Sequence, residues 1–371
     1  MKIDVHAHYV PEKCLDAEAK GTDGHIHGLR IVQEGSRQVA YTNNARNLAF
    51  DPPQIYSIER RLKDMATQWV DMQVLSVPPF LFFMPPIPLR VLSSVRRSTM
   101  GSPKRCKSIL IALWRLPIFR CKSPEMAARE LERSVRELGL RGAEICSNIN
   151  GKNLDDKSFV PFYTKLQQLD VPVFIHPSNV LGADRLRPYH LQNLIGNPSD
   201  TAVAAASLIF GGVLKEFPRL KFYLAHGGGS CPYLRGRWEH GWQVRPEARA
   251  NIDRPPSDYL RLLCFDSLVH SVPALNFLVE TVGPGRVMMG TDYPFDMGDR
   301  DPVKTVASLP HLSDDQKEMI FGANAAALLR SAAVDAFGVW CAGEVFIWTQ
   351  RLRKDIRHHS KVAKGYEDRI T

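Results

Sequence analysis

The chain has 371 residues, 44% of them hydrophobic and 23% charged, a balance that suits a globular protein with one large α/β barrel or two ordinary domains. No uninterrupted apolar run of about 18 residues and no basic leader with an apolar stretch is present, so neither a membrane span nor a secretory signal is expected, and the cytoplasm is the default compartment. The net charge of +9 would suit a nucleic-acid partner, but nine Lys and Arg without a single acid fall in residues 72–124, residues 331–371 are basic too, and the rest is nearly neutral.

The first predicted strand, residues 3–6, opens directly into His6-Ala7-His8. Side chains at i and i+2 of a strand share a face, so both imidazoles can reach one point. A strand at 70–77 follows, and then the pattern breaks. Residues 84–122 cluster prolines, lack acids entirely and show no helical or strand period. Order returns at Glu125 and Glu130, which open an amphipathic helix over 124–138. Beyond it, strands at 142–146, 171–176, 220–226, 263–266 and 286–290 alternate with helices at 159–169, 201–215 and 272–282 and a last helical group at 313–329. The seven cysteines are odd in number and form no C-x-x-C pair, which reads as reduced thiols.

Repeated β-then-α units imply a parallel sheet with crossover helices. Several of the strands end in a polar group: His6 and His8, His176, His226, Asp266, and Asp292 just beyond Gly290. A (β/α)8 TIM barrel gathers such ends at one mouth. A doubly wound sheet would instead need a glycine-rich phosphate loop after an early strand, and none is found. Each group also has a bland reading: His176 before Pro177 as a core histidine at a strand end, His226 before three glycines as part of a turn, Asp292 as a helix N-cap. Collected at one mouth, imidazoles and a carboxylate suit a divalent metal, with one position left open for water.

The segments "KIDVHAHYVP", "VPVFIHP", "LIFGGVLKEFPRLKFYLAHGGGSCPYLRGR", "RPPSDYL", "VMMGTDYPFDMG" and "GANAAALL" together resemble the decarboxylase branch of the amidohydrolase superfamily, the branch of the 2-amino-3-carboxymuconate-6-semialdehyde decarboxylases. The likeness spans residues 1–83 and 123–330. It implies a barrel of the metal-dependent hydrolase type over residues 1–330, with a metal held by His6, His8, His176 and Asp292. The metal it implies is Zn2+, with Mn2+ as the alternative. It further implies that His226 and Asp292 take part in catalysis, His226 moving a proton, and that Arg46 and Arg237 bind a substrate carboxylate. Arg237 would be donated across the interface of a homodimer. The substrate implied is a small conjugated or aromatic carboxylic acid, decarboxylated without an oxidant. Ser178 stands where the family has Trp, and "RPYHLQNLIGNP" replaces a Trp-rich run, so the substrate pocket departs from the family pattern.

From Pro78 to Pro124 the spacing matches the family while the residues do not. Preserved length with lost pattern is what two compensating reading-frame shifts would produce, and the basic tail 331–371, expected to be poorly ordered, would be a third unterminated frame. One β/α unit would then be poorly specified. Rival readings are a metal-dependent hydrolase or hydratase of a carboxylate-bearing ring-cleavage product, and an inactive product of a frame-shifted gene. Reading the coding DNA over 84–122 in its other two frames should restore a helix-plus-strand pattern; two patternless frames would dispose of the frameshift idea.

Overall fold

The computed structural model describes residues 1–10, 29–42, 45–47, 50–79, 109–112, 114–115 and 124–329. The chain divides into two compact units, Met1–Ser331 and Ala332–Thr371, and all the described residues belong to the first. The expectation for the basic tail therefore lies outside the described residues. Among these residues no helix is long and apolar enough to cross a membrane.

The parallel strands run in a ring. β1 (Ile3–His8) is followed in the chain by a three-stranded antiparallel sheet, β2 (Leu29–Glu34), β3 (Arg37–Thr42) and β4 (Ala45–Asn47), and then by β5 (Met72–Ser76), which pairs with β1. β6 (Ile109–Ala112) pairs with β5, and β7 (Trp114–Arg115) pairs with β8 (Ala143–Cys146). The order continues through β9 (Pro172–His176), β10 (Lys221–Leu224), β11 (Cys264–Asp266) and β12 (Val287–Met288), each parallel to the last. Hydrogen bonds from Val5 N to Met289 O (2.9 Å), Asp292 N to His6 O (2.7 Å) and His8 N to Tyr293 O (2.7 Å) return the ring to β1. With β6 and β7 sharing one position, this is the (β/α)8 circuit.

The parallel strands are buried on both faces, every residue of β1, β5 and β8 being covered. In β9 all five residues are buried, as expected for a sheet covered by helices outside and side chains within. Val173 and Ile175 pack in the outer core with Leu208 and Leu278 from the helices Asn197–Phe210 and Val272–Val282. Phe174, on the other face, stacks on Tyr223 with ring centroids 4.5 Å apart. His176 shares the face of Phe174 two residues on, so the inward face runs from an apolar floor to a polar mouth.

Three expectations shift. The helix at 201–215 is interrupted at Gly211 and Gly212 into Asn197–Phe210 and Val213–Glu216. The last group splits into Asp314–Glu318 and Asn324–Leu329 around a wide turn at Met319–Ala323, where Gly322 lies so close to the chain start that a Cβ would fall 2.1 Å from Met1 O. Within 84–122, otherwise outside the described residues, 109–112 and 114–115 form β6 and β7 at the third strand position. A short apolar run can pair as a strand without any alternation.

Candidate metal centre

His6 and His8 arrive from β1, His176 from the last residue of β9, and Asp292 from the turn after β12. Each offers one ligand atom, all four residues are buried, and those atoms lie within 4.8 Å of one another. Asp292 Oδ1 is 3.3 Å from His6 Nε2 and 3.0 Å from His8 Nε2, and the two Nε2 atoms are 3.2 Å apart.

The far side of each ring decides which nitrogen faces the centre. His6 Nδ1 sits 2.7 Å from Asp266 Oδ2, and His176 Nδ1 sits 3.0 Å from Pro177 O. Both partners only accept, so both Nδ1 atoms carry the proton and both Nε2 lone pairs point inward. His8 Nδ1 is held 3.1 Å from Ser76 Oγ. Asp292 Oδ1 is buried without a hydrogen-bond partner in the structure. Converging imidazole nitrogens beside such an oxygen form a donor set that fits a divalent metal.

The charges agree. Burial opposes ionisation of Asp292, but His6 and the neighbouring imidazoles hold its carboxyl well below the usual range. Burial lowers His6, and Asp292 with Asp266 overcomes this and pushes it up to about 10. Burial and the surrounding imidazoles hold His176 well below its ordinary value. The two carboxylates thus attract a cation to the centre; without a metal, His6 holds a proton there.

His226 lies at the same mouth, its Nε2 3.6 Å from Asp292 Oδ2 and its side chain 15% exposed. Its backbone takes a positive φ of 56°, a costly conformation for a side chain-bearing residue. Asp266 holds it there: Oδ2, which also accepts from His6 Nδ1, accepts from His226 N at 2.9 Å, while Oδ1 accepts from Gly227 N at 2.7 Å and Leu268 N at 3.0 Å. The glycines that follow permit the turn, since a Cβ on Gly229 would fall 2.0 Å from Pro198 O.

Residues 3–331 match the amidohydrolase family. This chain belongs to that family. It is 36% identical over 337 residues to the 2-amino-3-carboxymuconate-6-semialdehyde decarboxylase of Dictyostelium discoideum, covering 88% of this chain and 90% of the relative. The enzyme of the same name from Caenorhabditis elegans is 30% identical over 379 residues, covering 88% and 94%. Among solved structures, a dihydroxybenzoic acid decarboxylase from Polaromonas with bound manganese and the inhibitor 2-nitroresorcinol superposes with a TM-score of 0.67, at 22% identity, over 88% of this chain and 96% of that one.

Two further predicted residues, Arg46 and Arg237, are not among the four. Arg46 lies on β4 opposite Tyr41, and its side chain is outside the described residues. Arg237 is exposed on the helix Cys231–Val244, and no described contact joins it to the cluster. Sequence reasoning noted Asp266 as a strand-end acid but not as the group that aims His6 and fixes the His226 turn. Ser76 gave no signal at all.

Replacing Asp266 with Asn puts an NH2 group against N–H donors. Asp266→Asn should weaken metal binding about 10–100-fold, read by competition with a chromophoric chelator; unchanged affinity would remove Asp266 from the site. A metal must displace the proton from His6, so uptake at neutral pH should release protons. On the His6 proton alone, affinity should rise about tenfold per pH unit until pH approaches 10. Affinity that is flat with pH would rule out the proton-displacement account.

Proposed function

We propose that the chain is a metal-dependent, nonoxidative decarboxylase of a conjugated or aromatic carboxylic acid of the 2-amino-3-carboxymuconate-6-semialdehyde type. The metal is held by His6, His8, His176 and Asp292. The observation that carries the reading is His226: a partly exposed imidazole at the same mouth, outside the four ligands and 3.6 Å from Asp292 Oδ2. The extensive likeness to two decarboxylases supports it. Three imidazoles and a carboxylate favour Zn2+, with Mn2+ the alternative that the Polaromonas structure brings forward. A divalent ion bound there supplies Lewis-acid charge to the substrate.

The protein's own groups do the rest. His226 delivers a proton from Nε2 to the carbon bearing the carboxylate, a general-acid task that an imidazole N–H can perform. The bond to the carboxylate then breaks, its electron pair returns to the conjugated system, and CO2 leaves, so that one proton replaces one CO2. Asp292 Oδ2, 3.6 Å from His226 Nε2, orients the ring toward the mouth. Arg46 binds the substrate carboxylate, and Arg237 reaches from one protomer of a homodimer into its partner's site, as its exposed position allows; Arg suits bidentate pairing with carboxylate. The enzyme would work in the cytoplasm.

His226→Ala should lower CO2 release from muconate-type or hydroxybenzoate-type acids by about 10²–10⁴-fold while metal stays near stoichiometric by elemental analysis. Loss of metal in that variant would make His226 a ligand and overturn its role. Consumption of substrate by the wild type without CO2 would move the assignment to a hydratase or hydrolase.

Mixing inactive His226→Ala subunits with inactive Arg237→Ala subunits should restore activity, because one site of each mixed dimer regains both groups. No recovery, with subunit exchange confirmed by mass, would place Arg237 outside the partner's site.

A further inference from the structure

Arg61, on the helix Ile58–Thr67, is the largest fully buried side chain among the described residues. Its neighbour Arg60 is an ordinary surface residue, paired with Asp51 and Asp64 at 40% side-chain exposure. Burying a guanidinium is costly unless it is satisfied on several sides. What satisfies Arg61 is the backbone and support of the metal centre.

Its Nη2 donates to His8 O at 2.5 Å and to Gln54 O at 3.3 Å. Its Nη1 donates to Gln73 Oε1 at 2.9 Å, and Gln73 Nε2 donates to Asp4 Oδ2 at 2.9 Å. A guanidinium only donates and a carboxylate only accepts, so the Gln73 amide between them has one workable orientation. Asp4 then accepts from His6 N and Thr291 N through Oδ1, each at 3.0 Å, and from Thr291 Oγ1 through Oδ2 at 2.6 Å. The guanidinium carbon also lies 4.6 Å from the ring centroid of Tyr293 and 5.5 Å from that of Tyr9, the residues that follow Asp292 and His8.

We propose that Arg61 is a positioning residue for the metal centre, fixing the His8 segment through its carbonyl and the His6 and Asp292 segments through the Gln73–Asp4 relay. Its positive charge also offsets the carboxylates buried beneath the site. This rests on the metal reading above.

The test compares Zn2+ and Mn2+ affinity, by chelator competition, in wild type, Gln73→Leu, Arg61→Met, Arg61→Lys and Met65→Ala, with thermal melts and steady-state kinetics on each. Gln73→Leu and Arg61→Met should bind metal about 10–100-fold more weakly and lose kcat with KM little changed. Arg61→Lys should recover little, because an ammonium lacks the planar fork that spans these acceptors. Met65→Ala, a core truncation on the same helix, should lower the melting temperature and leave metal affinity unchanged. Should the Arg61 variants fail to fold, Gln73→Leu decides, since it severs the relay and leaves the guanidinium in place. Unaltered metal affinity in Gln73→Leu, or an equal loss in Met65→Ala, would reduce Arg61 to a stability role. A wild type that takes up no metal overturns the metal reading and this inference together, whereas a wild type that binds metal with unaffected variants overturns the inference alone.

Discussion

The seam where the barrel closes is held by Val5 N on Met289 O, Asp292 N on His6 O and His8 N on Tyr293 O. The last two bonds engage the backbone of His6, His8 and Asp292 themselves. Two ligands of the centre therefore stand on one side of the seam and one on the other. Closing the ring brings the first residues of the chain against residues nearly three hundred positions later, and the same contacts set the ligand spacing. A site built this way inherits the stiffness of the sheet, which a metal centre needs more than a loop can give.

That seam is also where charge is buried. Asp4, Asp266 and Asp292 all lie within the barrel, each with little or no exposure. Asp4 is satisfied by backbone and side-chain donors, and Asp266 by His6 Nδ1 and three backbone N–H groups. Asp292 differs, because its Oδ1 faces imidazole nitrogens and accepts no hydrogen bond. A buried carboxylate whose neighbours are all imidazoles suits a cation shared with them. The physical case for a metal thus rests on how unequally the three acids are satisfied, beyond the mere presence of histidines.

How much of this could be read from the sequence depended on the range of the signal. His6 and His8 were legible because a two-residue period is local and the flanking Ile3 and Val5 mark the strand. His176 and His226 were legible because apolar runs end in them. Asp266 could be placed but not given a role, since its partner His6 is 260 residues away and no spacing links them. Arg61 was invisible for another reason. In Ile58-Glu59-Arg60-Arg61-Leu62 two adjacent arginines look alike, and only helix rotation turns one to solvent and the other to the barrel. The antiparallel β2–β3–β4 excursion was missed because nothing in the β/α rhythm calls for it.

The irregular segment can be judged by where it falls on the ring. Ligands come from the first, fifth and eighth strand positions, His226 follows the sixth, Asp266 ends the seventh, and Ser76 and Gln73 support them from the second. Residues 109–112 and 114–115 occupy the third, and none of these groups is among them. Their contribution is to continue the sheet, with β6 parallel to β5 and β7 parallel to β8. Backbone pairing asks little of side-chain identity beyond an apolar, proline-free run, and Ile-Leu-Ile-Ala-Leu-Trp meets that demand where an alternating pattern does not exist. Among the described residues, the ligands and their supports stand elsewhere on the ring.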